Sequence, residues 1–232
     1  MILIIGGSFQ GKLDFARRRF DLAEDEMLLC DEGTAALDAP GRCVAYIERW
    51  ALMRNSRPEN LSEHSLEVAM IAHALCMIGN ARYKRKLNGE RAALIGLFHD
   101  ASEIITGDMP TPVKYYNHSL KTAYKEVESV AEDRLLEKLP YDLRASYEEI
   151  LKPPAEGEED RYLRRLVKAA DKLSALIKCL EEEASGNTEF RKARLATEQT
   201  LAGMQAELPE LKDFMEEFLP SYGRTLDELI ED

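Results

Sequence analysis

The four cysteines of this 232-residue chain are scattered and form no C-x-x-C pair, which excludes a disulfide framework or a thiolate zinc site and points to a reducing compartment, the cytoplasm. Valine and threonine are scarce, 6 and 8, against 31 Leu, 29 Glu and 26 Ala. That excess of strong helix formers over β-branched residues excludes an all-β fold and predicts a mainly helical one. Basic charge is also in deficit, with 31 Lys and Arg against 43 Asp and Glu, a net charge of −12 and a sequence pI of about 5.0. The field of such a molecule opposes binding to a nucleic-acid polymer. No apolar run is long enough to span a bilayer, and the apolar opening Met1–Ile5 is too short for a secretory segment, so no membrane partner is expected.

The length fits one large domain, or a domain with an extension. Residues Ile2–Ile5 read as a strand, followed by the glycine turn Gly6-Gly7-Ser8-Phe9-Gln10-Gly11-Lys12-Leu13 and an amphipathic segment. The spacing matches G-x-x-x-x-G-K, but Leu13 stands where a phosphate loop needs a magnesium-binding hydroxyl. The opening resembles the start of cobinamide-kinase-type P-loop proteins, and the resemblance stops within about 40 residues, far short of the roughly 100 that a nucleotide-binding α/β domain needs. Residues 1–42 are therefore read as a degenerate P-loop-like extension, a short strand, turn and helix with a Gly- and Pro-containing linker over 31–42, and 43–232 as the main domain. There the pattern predicts helices over about 43–53, 62–78, 89–104, 116–138, 141–151, 160–184, 188–206 and 208–218. Leu166, Ala170, Leu173, Ile177 and Leu180 form one continuous apolar face on the sixth of these.

Only four histidines are present, so an imidazole site must be drawn from His64, His73, His99 and His118. His99 and Asp100 leave the apolar run Ala92–Phe98 at adjacent positions, where a cation is one way to offset a buried carboxylate. Glu103 follows His99 by four residues and Asp100 by three, so on a continuous helix it shares their face as a candidate proton acceptor. His64 lies in the first turn of a helix that Ser62 can cap. His73, nine residues on, falls about half a turn round from it and is assigned, like His118, to packing or solvent. Asp171 flanks the long apolar stripe beside two alanines. Two imidazoles and two carboxylates make a mixed donor set suited to Mn²⁺, Co²⁺ or a similar divalent transition metal.

His64, His99-Asp100 and Asp171, in this order on a helical chain, resemble the HD-domain metal-dependent phosphohydrolases. Arg49-Trp50-Ala-Leu-Met-Arg54-Asn55, Glu59-Asn-Leu-Ser-Glu-His64-Ser-Leu, His99-Asp-Ala-Ser-Glu103, Thr106-Gly-Asp108-Met-Pro-Thr-Pro-Val-Lys114 and Lys178-Cys-Leu-Glu-Glu182 resemble, more narrowly, the bacterial 5′-deoxynucleotidases. The resemblance implies an HD-domain helical bundle, a homodimer, and hydrolysis of deoxyribonucleoside 5′-monophosphates with relaxed base preference. It makes His64, His99, Asp100 and Asp171 the metal ligands, with His64, Asp100 and Asp171 also meeting the substrate, and Glu103 the aid to the attacking water. Arg49 would orient the phosphate, Trp50 would crowd a ribose 2′-hydroxyl, and Asp108 would accept from the 3′-hydroxyl. Met109, Pro110 and Thr111 would line the sugar pocket. The rival readings are an HD hydrolase of a nucleoside triphosphate or guanosine tetraphosphate, and a non-catalytic nucleotide sensor.

Overall fold

The computed structural model describes residues 44–230 except 115, 153–156 and 225. The expected N-terminal strand, glycine turn and linker lie outside the described residues. Among these, two short antiparallel strands, β1 (Glu48–Arg49) and β2 (Glu59–Asn60), pair Glu48 with Asn60 and Arg49 with Glu59, and everything else of regular structure is helical.

Helix α1 (Leu61–Tyr83) follows β2 directly. Its cap is Asn60 and not Ser62: the Asn60 side chain accepts from the Glu63 N–H at 3.0 Å while the Glu63 carboxylate accepts from the Asn60 N–H at 3.3 Å. This reciprocal pair satisfies two end donors at once, which a lone serine cannot. Helix α2 (Gly89–Phe98) is capped by the Asn88 side chain, accepting from the Arg91 N–H. The short α3 (Glu103–Thr106) and α4 (Thr111–Lys114) lead to α5 (His118–Glu137), capped by Asn117, and to α6 (Tyr141–Leu151). Helix α7 (Glu158–Ala184), a 3₁₀ turn at Thr188–Phe190, α8 (Arg191–Gln205), α9 (Pro209–Glu217), a second 3₁₀ turn at Leu219–Gly223 and α10 (Leu226–Ile230) complete the chain.

These elements divide into two compact units. The first holds, of the described residues, 44–49, 59–63 and 100–152, and in it α5 packs on α3, α4 and α6. The second holds 50–58, 64–99 and the described part of 153–232. Its core joins Val68, Leu75 and Ile95 to Leu166, Leu173, Ile177, Leu201 and Leu211. Each such side chain stabilises the fold by roughly 1.5–3 kcal/mol relative to exposure. The expected stripe on α7 is this core's centre, with Leu180 at its margin. Gly96 lets α2 lie against α1, since a Cβ there would stand 3.0 Å from the Ala69 Cα.

Two expected helices differ. Of the helix expected over 43–53, residues 44–53 form β1 and turns, because Trp50 takes a left-handed backbone (φ 57°) that a helix cannot contain. Its carbonyl accepts from the Met53 N–H at 2.8 Å and from the Asn55 side chain at 3.2 Å. The helix expected over 89–104 ends at Phe98, and residues 99–102 turn before α3 begins. Backbone bonds tighten there to the i+3 pattern, Glu103 N–H to Asp100 and Ile104 N–H to Ala101. His99, Asp100 and Glu103 thus do not share one helix.

Candidate active site

In the second unit, α1, the C-terminal end of α2 and α7 bring together three of the expected metal ligands. His64 is fully buried, its Nε2 3.4 Å from the Asp171 Oδ1 and its ring centroid 5.2 Å from that of His99. The far nitrogen of each ring is already engaged, His64 Nδ1 with the Ser174 Oγ at 2.9 Å and His99 Nδ1 with the Gly96 carbonyl at 2.7 Å. A carbonyl only accepts, so His99 carries its proton on Nδ1 and presents the Nε2 lone pair. The Lys172 ammonium stands 2.9 Å from the Asp171 Oδ2 and favours its carboxylate form. Asp171 is therefore an anion beside two nitrogen donors, a set that fits a divalent transition metal.

In the first unit, the turn after His99 gathers the acids. Asp100 faces Arg49, Nη1 to Oδ2 at 3.7 Å, and Arg49 Nε donates to Glu59 at 3.2 Å. Arg49 and Glu59 are cross-strand partners, so the hairpin aims the guanidinium. Glu103, at the start of α3, is buried, and its Oε2 has no hydrogen-bond partner among the described residues. Burial first, then the charges of Asp100 and Asp108, push its pKa up to about 9 against the opposing pull of Arg49 and Lys114. Asp108 follows Gly107, whose φ of 72° makes the turn that ends α3. Met109 and Pro110 are half-buried, and Thr111 opens α4 exposed.

Trp50 stands in the second unit with its indole on Phe190, ring centroids 5.3 Å apart. The loop carrying it is tied to α7 through Glu182, which accepts from the Ser56 and Arg57 N–H groups.

Sequence reasoning groups His64, His99, Asp100 and Asp171 as one ligand set, with Glu103, Arg49 and Asp108 beside it; the structure brings His64, His99 and Asp171 together in the second unit and Arg49, Asp100 and Glu103 together in the first. His99 and Asp100 are consecutive, so the backbone keeps their Cα atoms about 3.8 Å apart. Reasoning from sequence missed Ser174, Glu67, Glu59 and Phe190. A signal existed for two of them, since Glu67 is three residues after His64 and Ser174 three after Asp171, on the same helix faces.

A helical fold with two imidazoles and a carboxylate at its core and a buried acid on the following turn has the form of an HD-domain phosphohydrolase. An HD-domain phosphohydrolase from Listeria innocua superposes with a TM-score of 0.68 over 79% of this chain and 86% of that one, at 23% identity. A cyanophage S-2L HD phosphohydrolase, solved with dA and one catalytic Zn²⁺ ion, gives 0.55 over 80% and 96%, at 19% identity. The chain belongs to the YfbR-like 5′-deoxynucleotidase family, whose profile matches residues 42–222. The 5′-deoxynucleotidases of Erwinia tasmaniensis and Yersinia pestis are each 48% identical to it over 186 residues, 80% of this chain and 91% and 92% of theirs. No described helix is long and apolar enough to cross a membrane.

Proposed function

We propose that the chain hydrolyses deoxyribonucleoside 5′-monophosphates to deoxynucleoside and phosphate, using a divalent metal ion held by His64, His99, Asp100 and Asp171. The observation that carries this is the pair of imidazoles with engaged Nδ1 atoms beside the ionised Asp171. Family membership supports the substrate class. When bound, such an ion acidifies a water and offsets charge on the phosphoryl oxygens; Mn²⁺, Co²⁺ and Zn²⁺ all suit this donor set.

The chain's own residues do the rest. Arg49, braced by Glu59, meets the phosphate with its planar donors. Glu103 accepts the proton of the attacking water, and its raised pKa falls once positive charge offsets Asp100. Trp50, stacked on Phe190, crowds a 2′-hydroxyl. Asp108 accepts from the 3′-hydroxyl, and Met109, Pro110 and Thr111 line the sugar. We place the enzyme in the cytoplasm as a homodimer. The thiols Cys76 and Cys179, neither in a disulfide, support the first. Support for the second is the exposed stripe Leu66, Met70 and Met77 on α1.

The test is phosphate release from dAMP and AMP by metal-stripped protein with Mn²⁺, Co²⁺, Mg²⁺ or Zn²⁺ restored, beside Trp50→Ala. Metal-dependent turnover of dAMP but not AMP, with AMP turnover gained in the variant, is expected. Hydrolysis of neither monophosphate would overturn the reading.

A further inference from the structure

We propose that Ser174 and Glu67 are positioning residues that hold the His64 imidazole with its proton on Nδ1, so that Nε2 presents a lone pair to the metal. The inference rests on the metal reading above. It follows from counting protons in a short chain of three side chains. Ser174 Oγ lies 2.5 Å from the Glu67 Oε2 and 2.9 Å from the His64 Nδ1. A serine hydroxyl has one hydrogen and a carboxylate only accepts, so that hydrogen points to Glu67. Toward His64 the oxygen is then an acceptor, and the Nδ1 must donate.

The geometry leaves little room for another arrangement. His64 and Ser174 are both fully buried, so water cannot substitute for either partner. Glu67 stands one turn beyond His64 on α1, and Ser174 one turn beyond Asp171 on α7, so each helix supplies one candidate ligand and one member of the chain. With Nδ1 protonated, the His64 Nε2 lone pair and the Asp171 Oδ1 are two acceptors 3.4 Å apart, an arrangement that a cation satisfies. The negative charge of Glu67, passed through the hydroxyl, also makes the imidazole a better donor to that cation.

His99 reaches the same tautomer by a different route, through the Gly96 main-chain carbonyl. No side-chain substitution removes that oxygen, whereas the His64 arrangement depends on two replaceable residues. Removing Glu67 releases the Ser174 hydrogen to turn toward Nδ1 and admits the tautomer with its proton on Nε2, which faces a metal with the wrong charge.

The experiment measures Mn²⁺ dissociation constants, from the electron paramagnetic resonance of free Mn²⁺, for wild type, Ser174→Ala, Ser174→Thr, Glu67→Leu and the Ser174→Ala/Glu67→Leu double variant, with thermal melts and dAMP hydrolysis alongside. Ser174→Ala and Glu67→Leu should each weaken Mn²⁺ binding by about 10- to 100-fold. Ser174→Thr, which keeps the hydroxyl, should bind as wild type does. The double variant should be no weaker than Ser174→Ala alone, because Glu67 acts only through that hydroxyl. Unchanged Mn²⁺ affinity in Ser174→Ala, or losses that add in full in the double variant, overturn the proposal. So does a lowered melting temperature with affinity intact. If wild type binds Mn²⁺ and Ser174→Ala does not, yet dAMP is never hydrolysed, the relay stands and the substrate reading falls.

Discussion

Two buried glutamates in different units of the molecule meet opposite fates. Glu182, on α7, is 1% exposed and accepts from the Ser56 N–H at 2.8 Å, the Arg57 N–H at 3.3 Å, the Asn187 side chain at 2.8 Å and the Lys178 ammonium. Burial alone would raise its pKa, but these donors, Lys178 foremost, bring it down to about 2. Glu103, 5% exposed on α3, has acids for neighbours and is pushed up to about 9. Burial is common to both, so the donors decide. A buried carboxylate with its partners supplied fixes a loop, and one left among other carboxylates keeps its proton at neutral pH.

The sharpest way to break the contrast is to remove charge from the acid-rich side. Asp100→Ala should abolish metal binding and turnover, and a metal-replete, active variant would refute the assignment. Next comes Glu103→Gln, expected to lower kcat by about 10²- to 10⁴-fold with Mn²⁺ affinity retained, read from steady-state kinetics and metal titration. On the other side, Glu182→Ala leaves the buried Lys178 ammonium without its anion and should destabilise the fold by about 3–5 kcal/mol in urea denaturation.

pH separates the two groups by sign. Glu182 has a folded pKa below its unfolded value of about 4.3, so its stability contribution is present above that value and lost as pH falls toward about 2. Glu103 binds in the native state a proton that the unfolded chain releases from about pH 4.3 upward, so metal-free protein should lose stability as pH rises toward about 9. Melting temperatures of metal-free Glu103→Gln should lack that alkaline decline, and an identical decline in the variant would assign it elsewhere. The smallest expected effect is Phe190→Leu, which loosens the indole's support and should narrow the dAMP-over-AMP preference by ~3- to 10-fold, the order of a methylene-sized change in a pocket.

Much of the candidate site is legible in the sequence as a set of residues because its signals are local. The α7 stripe, the adjacent His99 and Asp100, and Asp171 beside its alanines can all be seen in windows of a few residues. The turn at Trp50 could not: its left-handed backbone is held by Asn55 and by packing on Phe190, 140 positions away. Composition there favoured a helix, and tertiary contacts overrode it. Helix α2 is shorter than its apolar pattern for a related reason, since periodicity does not register the switch to tighter backbone bonds after Phe98. Ser174 and Glu67 had the right spacing from their ligands, but only the folded chain shows that the two helices face each other there.

Gly96 carries a consequence for how this enzyme can change over evolutionary time. Its missing side chain admits the neighbouring helix, where a Cβ would stand 3.0 Å from the Ala69 Cα, and its carbonyl accepts from the His99 Nδ1. A substitution there pushes α2 off α1 and moves the carbonyl that accepts from His99, so helix packing and the setting of that imidazole change together. Residues 67 and 174 offer the separation that Gly96 denies. On the proposed relay, change at either residue retunes one imidazole through a side chain, which no change at Gly96 can do.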